Sequence, residues 1–261
     1  MKNCFLCTLI SVSLMVSFAK ADGHETFTGG LDPNAPINVQ AQVCTLKPGK
    51  TQAQYDRLVN KYFEWAKKYD VETTFVRQIP FLTHANPDNP NNYDFIEFLV
   101  SDFETSGKAW DLWMSTSDGQ KLNEEWLSLA SCDIKMAALN MQWAKVDELN
   151  SDDERIVVWN WCSKKEGVSS VQLISKHDSI AEEYSDGLGN IGWATFHPII
   201  GGANAPGDFA HIVVYPDMKG LMEHQEWFAG GGWKARSDYH IYAECRGDEA
   251  FVETIMNRPE S

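Results

Sequence analysis

The chain has 261 residues, and its 22 Lys and Arg stand against 37 Asp and Glu, a formal net charge of −15. A surface this acidic repels phosphate backbones and anionic lipid headgroups, so nucleic-acid binding and peripheral membrane attachment are excluded as expected functions. The length suits one large domain or two of ordinary size.

The first predicted element is a leader. Lys2 precedes an apolar run from Cys4 to Phe18, and Ala19-Lys20-Ala21 places small residues before Asp22. This is the layout of a secretory signal peptide over residues 1–21. The run falls short of the roughly 20 residues that a comfortable membrane span needs. The mature chain is therefore expected to be periplasmic or secreted, with no membrane attachment after cleavage. Loss of Lys2 and Lys20 leaves 20 basic residues against 37 acidic ones, a net charge of about −17. Residues 22–36 read as an N-terminal extension. Cys44, Cys132, Cys162 and Cys245 remain, and an even count in an exported chain favours disulfides over metal ligation. No two of these four form a C-x-x-C pair, so no metal is expected.

The rest of the chain repeats itself. Cys44 and Gly49 recur as Cys162 and Gly167, an offset of 118 that also pairs Phe75 with Trp193 and Pro80 with Pro198. After a shorter loop the offset is 114, pairing Asp94-Phe95 with Asp208-Phe209 and Trp113 with Trp227. Asp102 then answers to Asp217, and Cys132 to Cys245.

Within the first copy, periodicity predicts a strand at 37–44 and a helix at 52–69, with Tyr55, Leu58, Val59, Tyr62, Phe63 and Ala66 on its inner stripe. Strands follow at 71–81 and 93–100. A helical region at 105–130, interrupted near Gly119, leads to a last strand at 134–143. Residues 145–154 form an acidic linker. The second copy predicts a strand at 156–162, then a helix at 170–184 with Leu173, Ile174, His177, Ile180 and Ala181 inward. Strands are expected at 191–198 and 209–215, a helix at 218–228 stopped by Gly230-Gly231-Gly232, and a last strand at 250–258. The fold class is α+β, two tandem ferredoxin-like βαββαβ units at 37–144 and 155–261.

This duplicated order resembles the dimeric α/β-barrel superfamily, loosely beside its antibiotic-biosynthesis-monooxygenase-like and NIPSNAP-like groups. The resemblance implies two sheets packed on each other as an intramolecular pseudo-dimeric barrel, with a ligand between them. Members include cofactor-free oxygenases, haem enzymes and small-molecule binders, so the resemblance settles no activity. Four cysteines allow three pairings. In a ferredoxin-like sheet the end of the first strand lies beside the start of the fourth, which implies Cys44–Cys132 and Cys162–Cys245.

Strand parity puts Glu97 and His211 at equivalent positions, on one face with Gln42 and Asn160. Their neighbours Val43, Val157, Trp159 and Trp161 are apolar and suit the helix-covered side. Gln42, Glu97, Asn160 and His211 are thus expected to line the space between the sheets, with Trp193 and His197 at its mouth. His177 reads as a satisfied core histidine, Arg77 as the partner of a surface carboxylate, and His224 as exposed. No G-x-S-x-G, H-E-x-x-H or EF-hand pattern occurs, and no catalytic residue is assigned. The leading expectation is a binder of a small apolar or aromatic ligand between the two sheets, with no cofactor expected and haem left open. A cofactor-free oxygenase or isomerase using His211 or Glu97, and a protein-interaction or self-association module, are the alternatives.

Overall fold

The computed structural model describes residues 26–27, 30–85, 91–184 and 188–259, so the expected signal peptide lies outside the described residues. The chain opens with β1 (Ile37–Leu46) and α1 (Gln52–Lys68). Helix α1 starts where Thr51 and Gln54 form a reciprocal capping box, and it buries Tyr55, Leu58, Val59, Tyr62, Trp65 and Ala66 on one stripe. Then come β2 (Thr74–Leu82), β3 (Phe95–Ser101), α2 (Phe103–Ser115), α3 (Ser117–Leu129) and β4 (Ala130–Ala144). The helical break falls at Thr116, which ends α2 and caps α3 through its hydroxyl. Gly119 sits just inside α3 because a Cβ there would lie 2.6 Å from the Trp113 carbonyl oxygen.

The linker is partly helical. Helix α4 (Val146–Ser151) buries Val146 and Leu149, and Arg155 and Arg258 both donate to the Leu149 carbonyl. Beyond it lie β5 (Glu154–Lys164), α5 (Ser170–Tyr184), β6 (Gly192–Ile200), β7 (Phe209–Tyr215) and α6 (Met218–Trp227). Asp102 and Asp217, paired by the repeat, are both N-caps, accepting from the backbone N–H of Thr105 and of Gly220. Two expectations fail here. The glycine run does not stop the helix but turns it through a π-helical segment, with Gly231 at φ 134°, into a further helix, α7 (Trp233–Tyr239). The last strand, β8 (Ala243–Asn257), starts well before residue 250. On α5 only Leu173 and His177 are buried, and Ile174 faces solvent.

The eight strands of the described residues close into one antiparallel barrel in the order β1-β3-β2-β8-β5-β7-β6-β4. The first four run β4-β1-β3-β2 and the last four β8-β5-β7-β6, the same order in each half. The seams are β2 against β8 and β4 against β6. Closure removes every strand edge. A chain ending at Asn150 would expose β2 and β4 as edges together with the apolar face behind them. It is therefore expected to dimerise, aggregate or unfold; a monomeric, cooperatively unfolding product in light scattering and urea titration would refute this.

Alternation along the strands sends two sets of side chains to two buried layers. Val39, Ala41, Val76, Phe98, Val157, Trp159, Phe196, Ile212 and Phe251 point into the barrel. Phe98 stacks on Trp159 with ring centroids 5.6 Å apart, and Phe196 meets Trp159 edge-on at 5.1 Å. The lumen centre is thus closed by aromatic rings. The other faces of the strands carry the helices, with Tyr55, Phe75, Phe95 and Trp126 packed together in the first half.

This inverts the expected assignment of faces. Val157, Trp159 and Trp161 fill the lumen, whereas Gln42, Glu97, Asn160 and His211 lie on the side that the helices cover. Both faces of a helix-covered barrel are buried, and the lumen holds a polar network of its own, in which Trp159 Nε1 donates to Gln78 and Gln78 donates to Glu253. Gln42, Glu97, Asn160 and His211 fall to the layer beneath the helices.

The disulfides are Cys44–Cys132 and Cys162–Cys245, as the resemblance implied. Each joins directly opposed residues of β1 and β4 or of β5 and β8. They span 88 and 83 residues, and loops of that length are worth roughly 4–5 kcal/mol each in the chain-entropy account. No helix among the described residues is long and apolar enough to cross a membrane.

Candidate functional site

A cavity of about 210 Å³ lies in the second half between the outer face of β5, β6 and β7 and the helices α5, α6 and α7. Strand alternation brings Asn160, Trp193, His211 and Tyr215 to it, and the turn at Gly231 lets α7 deliver Tyr239 from the opposite side.

Four side chains form one hydrogen-bonded chain whose proton positions follow from chemistry. Trp193 Nε1 lies 3.0 Å from His211 Nδ1. An indole nitrogen can only donate, so His211 Nδ1 accepts and the imidazole proton sits on Nε2. That Nε2–H donates to the Tyr239 hydroxyl at 2.9 Å. The Tyr239 proton is then left for His177 Nε2, 2.8 Å away. His177 stands on α5 with 4% of its surface exposed, so the expected core histidine is satisfied as predicted.

Burial sets the charge state of the chain. Desolvation pulls His211 down to about 3, with the charges of His177, His197 and Arg236 acting in the same direction. It pulls His177 down to about 4, and His197 adds to this. The Tyr239 phenol is pushed up by burial. Both imidazoles and the phenol are therefore neutral across the ordinary pH range.

Around this chain sit further polar groups. Tyr215 hydrogen-bonds His224 Nδ1 at 2.6 Å, so His224 is half-buried and paired, contrary to the expected exposure. Asn160 donates to Asp248 at 2.8 Å and accepts from the Gly247 N–H, and Asp248 also takes Arg236. Asn190 is buried, and its Oδ1 has no hydrogen-bond partner among the described residues. A ring nitrogen of His211 lies within 4.8 Å of the sulfurs of Cys162 and Cys245. Those sulfurs are bonded to each other, so they offer no thiolate to a metal.

Of the six candidates named from the sequence, Asn160, Trp193 and His211 meet at this cavity. His197 does not line it; it pairs with Thr195 Oγ1 at 3.1 Å and stacks on Phe209. Gln42 and Glu97 belong to the other half. Glu97, fully buried, accepts from Tyr55 Oη at 2.7 Å and from Arg77 Nε and Nη2 at 3.0 and 2.8 Å. Arg77 also reaches Asp56 at 2.6 Å, so its main partner is a buried carboxylate and not a surface one. Burial pushes Glu97 up to about 6, with Arg77 acting against it. Tyr239, Asn190, Tyr215 and Arg236 escaped sequence reasoning. Tyr239 and Arg236 lie beyond the Gly230–Gly232 run, on α7, where the sequence predicts no helix.

No protein-family model matches the chain, and no curated protein matches it. Solved structures do. One is a candidate monooxygenase from Fusobacterium nucleatum subsp. nucleatum, 11% identical over 87% of this chain and 94% of that one, with a TM-score of 0.52. Another is a candidate chlorite dismutase, 12% identical over 85% of this chain and 96% of that one, also at 0.52. At such identities the likeness is one of fold.

Proposed function

We propose that this is an exported protein that binds a small, uncharged aromatic compound in the cavity of its second half. The chain Trp193–His211–Tyr239–His177 carries this reading, because it gathers four buried polar side chains of fixed proton order at one apolar-walled space. Trp143, Tyr184, Trp227 and Phe228 supply flat walls. The imidazoles are neutral and Arg236 is paired with Asp248, so the site offers no free charge to an ion. The volume exceeds the 150 Å³ that admits benzene and falls under the roughly 300–1,000 Å³ of drug-sized pockets, which points to one or two rings.

The repeated strand order and the offsets between equivalent elements support two tandem ferredoxin-like units arranged as in the dimeric α/β barrels. The two disulfides support a periplasmic or secreted location.

Haem does not suit this cavity. His211 spends both ring nitrogens on Trp193 and Tyr239, and His177 Nε2 is taken by Tyr239. A macrocycle also needs more room than about 210 Å³. The oxygenase or isomerase alternative meets an acid–base difficulty. General bases work best with a pKa near the operating pH, and His177 and His211 are far too acidic when protonated. A closed barrel leaves no open sheet face or edge for the interaction-module alternative.

Native mass spectrometry of protein purified from its own source tests the reading. A single small aromatic molecule is expected to copurify. Tyr239→Phe, which cuts the chain at its middle, is expected to lower occupancy about tenfold while costing about 1–2 kcal/mol of stability. Absence of any bound compound, or equal occupancy in the variant, would overturn it.

A further inference from the structure

The aromatic rings at the lumen centre divide the barrel interior into two chambers. Phe98, Trp159 and Phe196 line a cavity of about 170 Å³ on one side and one of about 410 Å³ on the other. The larger chamber lies at the end of the barrel where β1 and β5 finish and β3 starts, and an eight-stranded barrel is wide enough to hold one small ligand. Ile96, Trp161 and Phe251 continue its apolar wall.

Opposite charges stand on opposite walls of this chamber. Lys135 on β4 lies against Ala41 of β1, and Glu249 on β8 lies against Trp159 of β5. Ala41 and Trp159 are equivalent at the offset of 118, so Lys135 and Glu249 occupy the same place in the two copies. Strands β4 and β8 are four apart in a ring of eight, and the two side chains therefore enter from opposite sides. Neither is the other's partner. Lys135 Nζ donates to the Gly201 carbonyl at 3.0 Å and to Asn204 Oδ1 at 3.1 Å, and it pairs with no carboxylate among the described residues. Glu249 Oε1 accepts from the His84 N–H at 2.9 Å, with the His84 ring 3.6 Å away, while Oε2 accepts no hydrogen bond among the described residues. The Glu249 side chain is 23% exposed and Lys135 is half-buried, so neither is sealed from water. Tyr93 faces the same carboxylate: burial, and then the Glu249 charge, push its phenol up to about 12. Asp133 lines the chamber too, but it is exposed and screened by solvent.

We propose that this chamber is a second binding site, for a small zwitterion with a flat apolar body and its ammonium and carboxylate at opposite ends. Lys135 has a third N–H for the carboxylate, Glu249 Oε2 accepts from the ammonium, and the body lies over Phe98, Trp159 and Phe196. An anion alone would strip water from Glu249 without replacing it, and a cation alone would do the same to Lys135. An uncharged compound would do both. Opposite charges at the two ends complement both walls. An α-amino acid carries its two charges on one carbon and meets one wall at a time. The volume falls within the roughly 300–1,000 Å³ of small-molecule pockets, which leaves room for one or two rings between the charges. The chamber shares no residue with the cavity at Tyr239, so the two sites stand or fall separately.

The probes para-(aminomethyl)benzoate, para-toluate and para-methylbenzylamine share one ring and differ in charge. Calorimetric titration of the full protein is expected to show the zwitterion binding about tenfold more tightly than either singly charged analogue, and more tightly than phenylalanine. Lys135→Met is expected to weaken para-(aminomethyl)benzoate about tenfold without weakening para-methylbenzylamine. Glu249→Gln, which keeps an acceptor for the His84 N–H, is expected to weaken the zwitterion to the same extent without weakening para-toluate. A general loss of structure would not produce this crossed pattern. Equal binding of the three probes, no binding of the zwitterion, phenylalanine binding as tightly, or a variant that weakens all probes alike or none would each overturn the proposal.

Discussion

Glu97→Leu is expected to destabilise the protein by about 3–5 kcal/mol, the cost of leaving one member of a buried ion pair without its partner. Glu97 is fully buried and takes three hydrogen bonds, two from Arg77 and one from Tyr55. Leucine would fill much of the space yet strand the Arg77 guanidinium, which is itself only 7% exposed. Asp56, at 40% side-chain exposure, is screened by solvent and offsets only part of the loss. Tyr55 would lose its acceptor in the middle of the first-half core. Glu97→Gln keeps an acceptor and the shape, so a smaller loss is expected. Replacing Glu97 and Arg77 together by apolar residues of similar volume should recover most of the stability, since the pair repays its own desolvation only in part. Urea unfolding of the three variants decides. A loss below about 1 kcal/mol for Glu97→Leu would show that the pair is not what holds this layer.

The same pair shows where sequence reading worked and where it stopped. The offset of 114 placed Glu97 and His211 at one strand position, and both do stand beneath helices at matching points of β3 and β7. Parity alone could not say which face was which. It separates two faces without naming them, and helices do not always take the more apolar one. In this barrel Trp159 and Phe98 stack in the lumen, where Trp159 also donates to the buried Gln78. The cysteine pairing was legible because strand order fixes which residues oppose each other, and Cys44–Cys132 and Cys162–Cys245 depend on that order alone. Tyr239 was not legible. Three consecutive glycines usually end a helix, and only the tertiary position of Gly231 at positive φ shows that the chain re-enters a helix beyond them. Gln42 lines a cavity beneath the first-half helices and not the lumen.

Acid should weaken the protein well above the range in which its carboxylates usually matter. His177 and His211 have folded-state values near 4 and 3, against 6.5 in the unfolded chain, with burial as the main cause. Below pH 6.5 the unfolded chain takes up protons that these two buried imidazoles refuse. The stability they contribute is full above about 6.5 and is lost as pH falls toward their folded values. His197 and His224, also lowered by burial, act in the same direction. Glu97 acts in the opposite one. Its folded value near 6 lies above the unfolded 4.5, so it takes up a proton first in the folded state and adds stability as pH falls through that window. Each group contributes at most about 1.4 kcal/mol per pH unit, and two imidazoles against one carboxyl leave a net loss of that order per unit between 6 and 4.5. The expected loss from pH 6.5 to 4.5 is therefore about 2–3 kcal/mol, read as a falling urea midpoint. His177→Gln with His211→Gln is expected to flatten the profile, whatever it does to stability at pH 7, because glutamine does not titrate. A wild-type midpoint that holds or rises over that interval would mean that the imidazoles at Tyr239 are open to water, and the neutral chain through which they were joined would be wrong.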